Sequence, residues 1–164
     1  MSVMLDLTEL LDYSDYERCK WKEWIAADQR RLDIPFQRDG RFPTIGSLLD
    51  HTFLVERRHL ARLQGGTPPG STGVASSDWE ALFEYAELVR ADFRKYLADV
   101  DQAETLEPIT IVAQSATRTM ARRQLATHIV LHEIRHLAQI AFAVRASGTV
   151  PPGDHDLFYF AAEA

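Results

Sequence analysis

The stretch TMARRQLATHIVLHEIRHLAQIAFAVRAS, from Thr119 to Ser147, constrains the fold more than any other part of the chain. Its apolar residues recur at helical spacing on two opposed faces. Leu125, Ile129 and Ala143 share one stripe, and Val130, Ile134, Leu137, Ala141 and Val144 lie on the other. A helix that is apolar nearly all round has to be covered on both sides. The second cover is expected to be another subunit packed on the Val130–Val144 face as a homodimer, the alternative being the rest of the chain with this helix at its centre. Gly148 stands as the residue after the helix end, with Pro151 and Pro152 beyond it.

Three further segments supply the cover. Leu7, Leu10, Leu11, Tyr13, Trp21, Trp24 and Ile25 repeat with helical period between about Met4 and Leu32, with a kink allowed at Ser14-Asp15. Thr44 is placed as an N-cap for the run IGSLLDHTFLVERRHLARLQ, which Gly65-Gly66 closes. After the flexible GGTPPGSTGVASS, the sequence SDWE from Ser77 to Glu80 has capping-box spacing and opens a third helix that runs to about Val100. The β-branched PITIVAQSAT then reads as a strand or small hairpin before the last helix. The tail packs back through Leu157, Phe158 and Phe160. These elements predict one all-α domain over residues 1–164, a four-helix bundle with a short extended excursion before its last helix.

On a wheel at 100° per residue, His128, His132 and His136 fall within a stripe about 80° wide that also holds Gln139. Imidazoles four residues apart lie one turn above another and can meet on one ion at roughly 2.0–2.1 Å. Burying them among apolar residues without partners would be costly, and a shared metal removes that cost. His132 and His136 are therefore expected metal ligands. They belong to HEIRH, which fits the HExxH pattern of zinc proteases. The protease continuation is missing: Gln139 and Phe142 exclude HExxHxxGxxH, and the only later glutamate is Glu163. His51, on the apolar stripe of the second helix with Leu48, Leu54 and Val55, is the candidate third ligand. His59 beside Arg58 and Arg62 reads as exposed, His155 lies in the tail, and His128 reads as a histidine at the core edge. Three neutral imidazoles leave a divalent ion with open positions, and zinc and nickel both suit them.

The chain has 164 residues and a net charge of −6, which argues against broad nucleic-acid binding. The start has no positive charge before Arg18, so it lacks a secretory signal, and no apolar stretch is long enough to span a membrane; a cytoplasmic protein is expected. The single cysteine, Cys19, reads as a semi-buried structural thiol. Arg118, Arg122 and Arg123 form a local basic cluster that is either solvated or able to hold an anionic group.

LLDHTFLVE around His51, HEIRHLAQI with His132, His136 and Gln139, the AVRASG that follows, the two prolines and the DLFYF tail together resemble the DinB family, including its YfiT-like branch. That resemblance implies a four-helix bundle with up-down-down-up connections, one divalent metal held by His51, His132 and His136, and frequent homodimers. Some relatives are S-transferases that use low-molecular-weight thiols, so the resemblance implies a small-molecule substrate and a thiol cofactor whose carboxylate the arginines at 118, 122 and 123 would hold. Two other readings stand beside it: a metal-dependent hydrolase with Glu133 as general base, and a metal-binding bundle without catalysis.

Overall fold

The computed structural model describes residues 6–37, 40–113, 116–158 and 160. Its elements are α1 (Leu7–Ala27), a 3₁₀ turn (Gln29–Asp33), α2 (Ile45–Leu63), α3 (Trp79–Asp99), a one-turn α4 (Gln102–Leu106), the strands β1 (Pro108–Ala113) and β2 (Ala116–Ala121), and α5 (Arg122–Ala146). Four long helices thus carry the fold, and α5 packs most extensively on α2.

Local chemistry sets the ends of these helices. Asp6 caps α1, accepting from the amides of Thr8 at 2.8 Å and Glu9 at 3.0 Å, while Glu9 reaches back to the Asp6 amide at 2.7 Å. The expected start near Met4 falls outside the described residues. The helix runs unbroken through Ser14-Asp15, and Ser14 is buried. The helix stops at Ala27 rather than near Leu32, where Asp28 accepts from the Arg30 amide and tightens the chain into the 3₁₀ turn. Thr44 caps α2 as expected, and Ser47 completes a capping box by accepting from the Thr44 amide. The cap of α3 is Asp78, one residue later than predicted: its Oδ1 accepts from the Ala81 amide at 3.1 Å, a role that its carboxylate fills in place of the Ser77 hydroxyl. β1 and β2 pair antiparallel from Pro108↔Ala121 to Ala113↔Ala116. The predicted hairpin is there, and it takes Thr119 to Ala121 from the helix, so that α5 begins at Arg122. At the far end Gly148, at φ +80°, donates to the Arg145 carbonyl and Thr149 to that of Val144, closing α5 in a Schellman turn.

The core has two apolar layers with a charged layer between them. One contains Trp21, Ile25, Leu49, Phe53, Phe83, Ile140 and Val144, and the other Leu11, Leu60, Val89, Phe93, Leu125, Ile129 and Val130. Between them each long helix contributes one ionised residue: Arg18 from α1, Glu56 from α2, Arg90 from α3 and Glu133 from α5, all at most 5% exposed. Arg18 donates from Nη2 to Glu56 at 2.6 Å and from Nε to Glu133 at 2.7 Å. Arg90 donates to Glu133 through Nη2 and faces Glu56 with Nε at 2.9 Å. Two cations and two anions cancel, which makes their shared burial tolerable.

This packing corrects the expected homodimer face. Val130, Leu137, Ala141 and Val144 are each at most 3% exposed within one chain, so the two-sided cover of α5 comes from its own bundle. The outward strip instead carries Leu131 and Phe142, 50% and 73% exposed. In the tail Phe160 packs on Tyr13 and Tyr16, whereas Phe158 is 74% exposed. Among the described residues no helix is long and apolar enough to cross a membrane.

Candidate metal centre

Where α2 crosses α5, His51, His132 and His136 come together. One ligating nitrogen from each lies within 4.8 Å of the other two. His132 and His136, one turn apart, set their Nε2 atoms 3.1 Å from each other. Two ligands about 2.05 Å from a common ion subtend about 98° at that spacing, between octahedral and tetrahedral angles. The His51 ring closes the group, with centroids 5.3 Å and 5.4 Å from those of His132 and His136. Phe42, from the loop before α2, packs on His51 with ring centroids 4.5 Å apart.

The donor chemistry suits a divalent cation. Burial first, and then the neighbouring imidazoles, holds His132 down to about pKa 2; burial, His136 and the nearby Arg41, Arg58 and Arg135 together hold His51 at about 4. Burial also lowers His136. All three rings are therefore neutral at pH 7, the form that ligates. Nδ1 of His136 lies 2.6 Å from Oε1 of Gln139. The amide oxygen can only accept, so Nδ1 carries the proton and Nε2 keeps its lone pair on the side facing His132. Such a three-histidine cluster could hold a metal ion.

A family model of the DinB family matches residues 1–163. The chain belongs to the DinB family. Among curated proteins none matches it.

Around the histidine cluster of this DinB chain the other candidate residues sort differently from their sequence expectations. Glu133 follows His132 directly, yet it is 2% exposed and belongs to the charged layer. Burial alone would raise its carboxyl; Arg18 and Arg90 overcome that and hold it at about 2, and Ser14 donates to it at 2.6 Å. It is not placed as a general base for the cluster. His59, expected to be exposed, is partly buried, and burial followed by the charge of Arg62 lowers it to about 4. Its ring sits 5.3 Å from that of His128, which is exposed and lies 5.5 Å from that of His132. His155 is remote, stacked on Trp21 at 5.1 Å with Nδ1 against Glu17.

The basic cluster divides. Arg122 donates to the Leu63 carbonyl and faces Glu104 at 3.6 Å, so it fastens α5 to α2 and α4. Arg123 is exposed, and only Arg118 lines a depression near the histidines. Cys19 is exposed, not semi-buried; partial desolvation of the thiol and then Glu23 push its pKa up, which keeps it protonated. Sequence reasoning found the three clustered histidines but missed Gln139 as their orienting partner. The available signal was its position three residues after His136, within reach on the same helix face.

Proposed function

We propose that this DinB-family chain is a divalent-metal enzyme, with zinc or nickel held by His51, His132 and His136, that transfers a low-molecular-weight thiol to an electrophilic small molecule. The observation that carries the proposal is the convergence of three neutral imidazoles from two helices, with His51 only partly buried. When bound, the ion supplies a Lewis-acid centre that lowers the pKa of a thiol and favours its thiolate. The protein's own part is positional. Gln139 fixes the His136 tautomer, Phe42 fixes the plane of His51, and Arg135 beside Gln139 places positive charge at the rim. An open depression of about 460 Å³ that includes His128 flanks the cluster along α5 and gives a small molecule an approach. Nothing favours the hydrolase reading, since both oxygens of Glu133 are taken by Arg18, Arg90 and Ser14.

The proposal extends to a homodimer. Its support is the exposed Leu131 and Phe142 on the outward strip of α5, which a second copy would cover. Sedimentation at micromolar concentration is expected to give twice the chain mass, and a monomer there would remove this part.

Metal analysis of the purified protein tests the centre directly: about one divalent ion per chain is expected, and none in His51→Ala. Full occupancy in that variant would sink the three-histidine site. Thermal denaturation with N-acetylcysteine then tests the chemistry. Stabilisation that needs both metal and thiol supports transfer, whereas stabilisation by metal alone leaves a metal-binding bundle without it.

A further inference from the structure

Arginines in this acidic chain are partnered unevenly. Arg18, Arg57, Arg90 and Arg94, which face the interior or the α3 side, each meet a carboxylate within 3.1 Å. Beside the histidines they do not. Arg58 donates to the Pro69 and Gly70 carbonyls, Arg62 to the His59 ring, and Arg118 only to the Thr117 carbonyl, at a long 3.4 Å. Among the described residues none of these three has an ion-pair partner.

Arg118 and the His59–His128 pair line one depression of about 460 Å³, whose remaining wall is the Gln124 side chain and the apolar surface of Ile111, Met120 and Leu125. Nη1 of Arg62 lies 3.3 Å from Nδ1 of His59. A guanidinium only donates, so Nδ1 accepts and the ring's single proton sits on Nε2. His59 therefore enters the depression as an uncharged N–H donor with a fixed tautomer. His128 joins the depression to the cluster, its ring 5.5 Å from that of His132.

We infer that this depression is a recognition site for a small organic carboxylate with an apolar body. Arg118 pairs with the carboxylate, His59 donates a second hydrogen bond, and the body lies on Ile111, Met120 and Leu125 with its far end toward His132. Of these three arginines only Arg118 lines the depression, and one guanidinium there beside a neutral imidazole matches a single negative charge on a planar group, which favours a carboxylate over a phosphate dianion. The site's place beside a metal rests on the function proposed above; its preference for a carboxylate does not.

Two isosteric probes separate these points. 3-Phenylpropanoate and its neutral amide, 3-phenylpropanamide, are titrated into the full-length protein with and without zinc, and the Met120 methyl resonance reports where they bind. The carboxylate is expected to bind at least about tenfold more tightly than the amide in both forms and to move the Met120 signal. Arg118→Ala removes the preference, Arg118→Lys keeps part of it, and Arg123→Ala leaves it intact. Equal binding of the two probes, a preference that survives Arg118→Ala, or an unmoved Met120 signal would each overturn the inference. A carboxylate held by zinc alone would show the second of these. Absence of zinc uptake with the preference intact would instead overturn the metal reading and leave this site standing.

Discussion

The amide oxygen of Gln139 lies 2.6 Å from Nδ1 of His136, and this contact decides which imidazole nitrogen is left to face His132. An outer partner of this kind typically changes metal affinity by about 10–100-fold when removed. Gln139→Leu keeps the helix and much of the volume but lets the ring adopt either tautomer. Its zinc affinity, measured by competition with a chromophoric chelator, is expected to drop by that range without a change in stoichiometry. Unaltered affinity would mean that the contact does not orient a ligand.

Glu133 and its predecessor His132 serve different parts of the molecule, and a variant separates them. Replacing Glu133 with Gln leaves Arg18 and Arg90 sharing only Glu56 in the charged layer, and uncompensated buried charge costs about 3–5 kcal/mol. Urea unfolding of Glu133→Gln should show a loss of that order, while zinc stoichiometry in the folded fraction stays at wild-type level. A variant of unchanged stability would show that the layer does not need the charge.

This pair also shows where sequence reading succeeds and where it stops. The periodicity of α5, the caps at Thr44 and Gly148 and the His132–His136 spacing are local, and all are found as expected because neighbours on one helix fix them. His51 was legible as a histidine on an apolar stripe of α2. The charged layer was not, because Arg18, Glu56, Arg90 and Glu133 sit on four helices up to 115 positions apart and each looks solvated on its own helix. Ser14 illustrates the cost of that blindness: it reads as a break in α1, yet its hydroxyl is buried against Glu133. The expected dimer face failed for a related reason, since an all-round apolar helix cannot say whether its cover comes from its own chain.

The histidines set a pH dependence with a definite sign. In the unfolded chain an imidazole titrates near its ordinary value of about 6.5. In the folded, metal-free protein burial lowers His51 and His59 to about 4 and His132 to about 2. Below pH 6.5 the unfolded chain therefore takes up protons that the folded one refuses, and stability falls with pH. The loss starts near 6.5, is complete near 4 for His51 and His59, and continues toward 2 for His132. The urea midpoint of the metal-free protein should thus be flat above pH 7 and decline between pH 7 and 5, less steeply in His132→Gln. A constant midpoint over that interval would contradict the lowered values.

Gly46, in the first turn of α2, lets the helix that carries His51 lie close against main chain on two sides. A Cβ there would stand 2.4 Å from the Ser76 carbonyl oxygen and 3.2 Å from that of Leu32. Both obstacles are main chain, so neither can rotate aside, and relief requires α2 to move away from the 3₁₀ turn and the segment leading to α3. Overpacking of this kind costs about 1–3 kcal/mol. Gly46→Ala is expected to lower the thermal midpoint accordingly and, because His51 lies five residues further along the same helix, to weaken zinc binding as well. A variant that loses stability but binds zinc as tightly as the wild type would show that the start of α2 can shift without displacing His51.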